Sequence, residues 1–179
     1  MQQIGFLGCG NMGGAILEGA LQSGQLEAAQ VIVFDISAAA MQRMAALGVR
    51  LAADREEVCR AADMIVAAVK PQYAEATLGG MAEAFVGKCL LSIMAGVTSN
   101  RLREMTGGGA RVLRCMPNTP AMVLEGAFAL CADSDATAEE KALAEDIFAA
   151  QGIVEWIPER LIDAVCGLSG GGPAYAAMF

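Results

Sequence analysis

The stretch Gly8-Cys9-Gly10-Asn11-Met12-Gly13 decides the fold of this chain. It follows an apolar run at residues 4–7 that reads as a short buried strand, and it leads into residues 15–21, whose apolar spacing is helical. A strand followed by a G-x-G-x-x-G motif and then by a helix is the fingerprint of a dinucleotide site. The first glycine allows a tight turn, the second lets a pyrophosphate approach the backbone, and the third lets the helix pack on the strand. The alternative is an ordinary glycine-rich turn, but these flanks favour a nucleotide.

Composition excludes several classes of function. The formal net charge of -8 and the lack of a basic stripe argue against a nucleic-acid partner. The longest apolar runs, such as residues 90–95, are too short to span a bilayer, and the N-terminus lacks the features of a secretory signal. Six scattered cysteines without a C-x-x-C pair, and no histidine, predict reduced thiols and no metal site. Cys9 and Cys115 are interpreted as small buried apolar residues. We therefore expect a cytoplasmic protein without a membrane partner.

Strands and helices alternate along the rest of the chain. This alternation predicts an α/β fold, with a Rossmann-like, doubly wound, mainly parallel sheet. The predicted strands are 4–7, 31–34, 49–51, 63–69, 89–94, 111–116, 127–130 and 153–157. After the first helix, the predicted helices are 38–47, 54–62, 73–85, 99–105 and 137–150. The later strands follow one another closely, which leaves room for an antiparallel edge.

The end of the chain predicts a second unit. The glycine-rich stretch Ser169-Gly170-Gly171-Gly172-Pro173 reads as a hinge, with Pro173 at the first position of an apolar helix that runs to Phe179. Because a helix of about two turns is marginal by itself, we expect the start of a helical C-terminal domain that is missing from this chain. The predicted domains are a dinucleotide-binding Rossmann domain at 1–160, and a hinge with the first turns of a helical dimerisation or substrate domain at 161–179.

Residues that could carry chemistry follow several of the predicted strands. In a doubly wound sheet, ligands bind in the crevice beyond the carboxyl ends of the strands. Gly8, Lys70, Ala95-Gly96 and Pro117-Asn118 all fall at such ends, so one crevice could hold them together. Each has a structural alternative: Lys70 can mark a strand that reaches solvent, the prolines can end strands, and Asn118 can be a turn residue.

Asp35 bears on the choice of cofactor. It ends the second predicted strand, where an acid normally holds the ribose hydroxyls of NAD and repels a 2′-phosphate. This position favours NADH. Ser37, approached by Arg43 or Arg55, is an alternative group for binding a phosphate.

An ordered set of segments resembles pyrroline-5-carboxylate reductase, the last enzyme of proline synthesis. The segments are residues 8–12, 68–72, 92–97, 116–121 and 167–175. The resemblance implies reduction of a cyclic imino acid, 1-pyrroline-5-carboxylate, to L-proline with NADPH or NADH. It also implies a homodimer or higher homo-oligomer, formed through the C-terminal helices that this chain lacks.

The resemblance also extends the candidate site. In the family, segments matching 68–71 and 94–96 line the cofactor near its ribose and nicotinamide. The predicted cofactor-binding residues are therefore Leu7, Gly8, Cys9, Gly10, Asn11, Met12, Asp35, Ala68, Val69, Lys70, Pro71, Met94, Ala95 and Gly96. Pro117, Asn118 and Thr119 are predicted on the substrate side. The catalytic residue is unassigned, because the family's substrate contacts come mostly from the helical domain.

Two other classes of function remain open at this point. One is a different Rossmann oxidoreductase, such as a β-hydroxyacid dehydrogenase or a reductase of a deazaflavin cofactor. The other is a non-enzymatic module that senses NAD(H). Fold analogy alone does not separate these classes from the reductase.

Overall fold

Residues 2–178, which the computed structural model describes, form one eight-stranded sheet with helices on both faces. The strands are β1 (Ile4–Leu7), β2 (Val31–Phe34), β3 (Arg50–Leu51), β4 (Met64–Ala67), β5 (Cys89–Ser92), β6 (Arg111–Pro117), β7 (Gly126–Cys131) and β8 (Gly152–Ile157). Their order in the sheet is β3-β2-β1-β4-β5-β6-β7-β8. Strands β1 to β6 are parallel, β7 is antiparallel to β6, and β8 is parallel to β7. The predicted doubly wound, mainly parallel sheet is confirmed, and so is its antiparallel element.

The helices begin largely where capping residues predict. They are α1 (Asn11–Gln22), α2 (Ala38–Ala45), α3 (Arg55–Ala61), α4 (Ala74–Leu78), α5 (Ser99–Met105), α6 (Ala138–Ala149), α7 (Ile162–Val165) and α8 (Gly172–Ala176). Four helices have a side-chain cap that accepts a hydrogen bond from an N–H of the first turn. The capping residues are Ser37 for α2, Asp54 for α3, Thr98 for α5 and Thr137 for α6. Within residues 2–178, no helix combines the length and apolar composition needed to cross a membrane.

The core lies in two layers, one on each face of the sheet. Because side chains alternate along a strand, Phe6 of β1 points to one face and Leu7 to the other. Phe6 packs in the layer with Ile16 of α1 and Phe148 of α6. Leu7 packs in the opposite layer with Val58 of α3. Both layers are buried, so the strands that end at the crevice are packed on both faces.

The continuous helix predicted over residues 73–85 is wrong. A 3₁₀ turn at Pro71–Tyr73 precedes α4, which ends at Leu78, and a second 3₁₀ turn occupies Ala82–Phe85. Gly80 has φ +79° in the left-handed region, which glycine adopts readily and which ends a helix. The glycine pair therefore ends α4, and the helix does not continue to Phe85.

The glycine-rich stretch that was predicted to be a hinge has helical backbone. A π-helical turn at Cys166–Gly170 joins α7 to α8, and Pro173 is the second residue of α8, one position after the first helical position predicted for it. A Cβ built on Gly170 would lie 3.1 Å from the Met116 side chain of β6. The wide turn therefore packs directly on the end of a central strand. The predicted end of this helix at Phe179 lies outside the described residues.

Candidate dinucleotide site

The glycine turn has the geometry that a dinucleotide fingerprint needs. Gly8 has φ +93°, and a Cβ there would lie 2.8 Å from the Ala68 carbonyl oxygen. A Cβ on Gly13 would lie 2.4 Å from the Gly8 carbonyl oxygen, so α1 packs as closely as glycine allows. Gly10 is exposed, and its Cβ position has no heavy atom within 4 Å. Two of the glycines are thus required by packing, while the third leaves open space beside the backbone.

The N-terminus of α1 faces that open space. Gly10 is the N-cap, and among residues 2–178 no side chain caps this helix. The first intrahelical bond runs from the Gly14 N–H to the Gly10 carbonyl at 2.9 Å. The preceding N–H groups are therefore available to an anion, and the dipole of the 12-residue helix favours negative charge there. These residues fit the pyrophosphate of a nicotinamide dinucleotide.

Two cavities lie along the carboxyl edge of the sheet, and Val69 lines both. The smaller, of about 200 Å³, is lined by Leu7, Gly8, Phe34, Asp35, Ile36, Arg55, Val69, Tyr73, Ala76 and Thr77. The larger, of about 480 Å³, is lined by Met12, Val69, Pro71, Ile93, Met94, Ala95, Met116, Pro117, Asn118, Thr119, Cys166, Gly170 and Gly171. With the glycine turn between them, the two cavities suit the two ends of an extended dinucleotide.

Asp35 is tied to the glycine turn through its carboxylate. One oxygen accepts from the Cys9 N–H at 2.6 Å and the other from the Ser37 N–H at 2.8 Å. The carboxylate therefore bridges β2 and the loop after β1, and it faces the smaller cavity. This contact joins residues 26 positions apart.

Arg43 holds the same turn from α2. Its Nη2 donates to the carbonyl oxygens of Cys9 at 2.6 Å and Gly10 at 3.0 Å. Its Nε pairs with Glu18 of α1 at 3.1 Å. Sequence reasoning considered Arg43 only as a phosphate ligand and missed this contact, because nothing in the local sequence shows that α2 packs against the turn.

The thiol of Cys9 stays protonated. Burial, reinforced by the Asp35 charge, raises its pKa to about 12, and burial alone raises the pKa of Cys115 well above its usual range. A thiol with a raised pKa is a poor nucleophile. The interpretation of both cysteines as small buried apolar residues is confirmed.

Asn118 links the strand ends to the glycine-rich turn near the C-terminus. Its Oδ1 accepts from the Ala127 N–H at 2.9 Å, and its Nδ2 donates to Ser169 Oγ at 3.1 Å. The turn-residue alternative thus describes part of its role. Ser169 lies 51 positions away, and no local signal connects it with Asn118.

Some predicted residues lie outside the two cavities. Lys70 and Gly96 are exposed and line neither, and Ala68 packs beneath the glycine turn. Cys9 contributes its backbone only, since its side chain is in the core. Asn11 lines a third cavity of about 350 Å³ on the outer side of α1.

Several lining residues were not predicted. In the smaller cavity they are Phe34, Ile36, Tyr73, Ala76 and Thr77, and in the larger Ile93, Met116, Cys166, Gly170 and Gly171. Position next to a strand end could have indicated Ile36, Ile93 and Met116. The residues from α4 and the π-helical turn could not be found this way, because packing alone brings them to the edge.

The sheet and the glycine turn identify the class of protein: a doubly wound α/β domain with a dinucleotide-binding fingerprint. Residues 3–96 match the family described as NADP oxidoreductase coenzyme F420-dependent. The chain is similar to pyrroline-5-carboxylate reductases over nearly its whole length. It therefore belongs to that family. The Escherichia coli K12 enzyme is 39% identical over 183 residues, which cover 99% of this chain and 67% of that protein. The Methanosarcina acetivorans enzyme is 36% identical over 176 residues, covering 97% and 65%.

Solved structures agree with this assignment. A pyrroline-5-carboxylate reductase from Coxiella burnetii matches with a TM-score of 0.92 and 31% identity, covering 99% of this chain and 67% of that one. The Plasmodium falciparum pyrroline carboxylate reductase with NADP bound matches with a TM-score of 0.87 and 31% identity, covering 99% and 66%. The chain thus spans about two thirds of the length of its relatives.

Proposed function

We propose that this chain carries the NAD(P)H-binding part of an enzyme that reduces 1-pyrroline-5-carboxylate to L-proline, the last step of proline biosynthesis. The observation that carries the proposal is the pairing of the glycine turn with a larger cavity along one sheet edge, in a chain that is 39% identical to a pyrroline-5-carboxylate reductase. The similarity extends over 99% of the chain, beyond the nucleotide-binding fingerprint.

The reaction needs a hydride donor and a proton. A bound nicotinamide supplies the hydride to the carbon of the C=N bond, and the imine nitrogen carries a proton from solvent. The chain's own part is to bind and orient. The first turn of α1 would hold the phosphates of the dinucleotide, and Met94, Ala95 and Pro117 form part of the wall of the larger cavity. Asn118, which lines the same cavity, donates to Ser169 Oγ and so ties the cavity wall to the π-helical turn.

The glycine-rich turn supports a two-part organisation. We propose a dinucleotide-binding domain at 1–160 and the first turns of a helical domain for dimerisation and substrate binding at 161–179. Supporting this proposal, Leu168, Tyr175 and Met178 expose 80%, 60% and 79% of their surface, although all three are large and apolar. Six free cysteines support a reducing, cytoplasmic location.

Binding and turnover test this proposal separately. Calorimetry with the 179-residue chain should show NAD(P)H binding, and a proline assay with 1-pyrroline-5-carboxylate should show no product. The physical reason is that the proposed organisation assigns the groups that hold the substrate carboxylate to the helical part. Failure to bind either nucleotide would contradict the function. Proline formation by this chain alone would place the substrate site within residues 1–179 and contradict the proposed organisation.

A further inference from the structure

We infer that this chain prefers NADH to NADPH, and that Asp35 is the residue that determines the preference. The inference rests on the proposed nucleotide site. It separates this chain from the Plasmodium falciparum relative, whose structure has NADP bound.

Asp35 is a fixed negative charge at the wall of the smaller cavity. In a doubly wound sheet, an acid after the second strand faces the ribose 2′ position of the cofactor. Here both carboxylate oxygens are held by backbone N–H groups, from Cys9 at 2.6 Å and Ser37 at 2.8 Å. Turning the carboxylate away from a 2′-phosphate would break both bonds and release the glycine turn.

A 2′-phosphate carries nearly two negative charges and needs cationic partners. Arg43 is engaged by two carbonyl oxygens of the glycine turn and by Glu18. Arg55 lines the cavity, but its Nη1 is held by the Thr77 and Gly79 carbonyl oxygens, both at 2.9 Å.

Ser37 offers a hydroxyl, which is neutral and does not balance the charge of Asp35. Its Oγ accepts from the Ala40 N–H at 3.3 Å as the N-cap of α2. The ribose 2′-hydroxyl of NADH, in contrast, can donate to a free lone pair of the Asp35 carboxylate. The smaller cavity therefore favours the hydroxyl over the phosphate.

Calorimetric Kd values for NADH and NADPH test the inference. We expect the unmodified chain to bind NADH at least about tenfold tighter, since like charges at close range disfavour the phosphate. Asp35→Asn retains the size and an oxygen that can accept from the Cys9 N–H while removing the charge, so the Kd ratio should move toward one. Asp35→Ser should shift it in the same direction. Asp146→Asn, on the exposed surface of α6, changes the net charge equally and should leave the ratio unchanged.

Arg43→Gln separates the two possible roles of that arginine. As a residue that positions the glycine turn, it should weaken binding of both nucleotides by similar factors. A loss confined to NADPH would make Arg43 a phosphate ligand and overturn the inference. Equal or tighter NADPH binding by the unmodified chain, or an unchanged ratio in Asp35→Asn, would overturn it as well. If neither nucleotide bound, the result would instead contradict the proposed function. The inferred preference for NADH would then be wrong as well, because it depends on the proposed nucleotide site.

Discussion

At the scale of the residue, three glycines in one turn meet two different demands. Gly8 and Gly13 are glycines because a Cβ would collide with backbone at 2.8 Å and 2.4 Å. Gly10 meets no such constraint within the chain, since its Cβ position is open. Its lack of a side chain therefore matters for what approaches from outside, which is the expectation for the glycine nearest a pyrophosphate.

Gly10→Val should separate binding from folding. The added side chain enters open space, so the thermal unfolding midpoint should change little, while NADH binding measured by calorimetry should be lost. Gly13→Val is the matched comparison: its side chain would meet the Gly8 carbonyl, so the unfolding free energy should fall by roughly 2 kcal/mol or more. Wild-type affinity in Gly10→Val would show that the phosphates bind elsewhere.

At the scale of the element, helix α6 shows how local and distant contacts combine. Thr137 and Glu140 form the reciprocal capping box that their spacing predicts. The Glu140 carboxylate also binds Arg111 of β6, with Nε to Oε2 at 2.9 Å, across 29 positions. Burial raises the pKa of Glu140, but the bonds from Arg111 and the Thr137 N–H outweigh it and hold the pKa below the usual value.

Stability should therefore depend on Glu140 in acid. A carboxylate with a lowered folded pKa stabilises the fold above its unfolded value, near 4.5, and this stabilisation is lost as the pH falls through the folded pKa. Urea unfolding measured at roughly pH 6 and roughly pH 3 tests this dependence. The unfolding free energy should decline less for Glu140→Gln than for the unmodified chain. An identical decline in both chains would mean that Glu140 is not ionised in this network.

The cap itself can be tested at the same scale. Thr137→Ala removes the acceptor for the Glu140 N–H, which lies 3.2 Å from Thr137 Oγ. The unfolding free energy should fall by about 1 kcal/mol, the usual effect of losing an N-cap. Thr137→Ser keeps the acceptor and should retain most of the stability. Equal losses in both variants would point to the methyl group instead of the hydrogen bond.

At the scale of the whole molecule, a buried arginine connects the sheet to the segment before α7. Arg114 of β6 is 3% exposed and pairs with Glu159 at 2.9 Å. Glu159 Oε1 also accepts from the Ser99 N–H of α5 at 2.7 Å, and its own N–H donates to Asp133. This network fixes where α7 leaves the sheet, and hence where the π-helical turn meets the larger cavity.

Arg114→Met should destabilise the whole fold, because the Glu159 carboxylate keeps its place without its cation. Loss of one partner of a buried pair costs about 3–5 kcal/mol, and the partial exposure of Glu159 reduces this to roughly 2–4 kcal/mol. Arg60→Met, which breaks an exposed pair with Glu56 on α3, should cost less than about 0.5 kcal/mol. Similar losses in the two variants, measured by urea unfolding, would deny Arg114 this role.

Local patterns in the sequence were enough to predict the order of the elements, the start of most helices, the glycine turn and the α/β class of this protein. Those features depend on side-chain spacing and on backbone preferences within a few residues. They can therefore be predicted without knowing which distant segments pack together. Asp35 was identified for the same reason, because it ends a strand at a known distance from the glycines. The break at Gly79-Gly80 also has a local cause in the backbone preference of glycine, although one continuous helix was predicted over residues 73–85.

The tertiary structure, by contrast, sets which residues meet at the sheet edge. It brought Arg43 to the carbonyls of the glycine turn, Ser169 to Asn118, and Val69 between two cavities. It also made the glycine-rich stretch after α7 helical, packed against Met116. Such contacts join residues tens of positions apart, and their free energy comes from burial and hydrogen bonds that exist only once the sheet has formed.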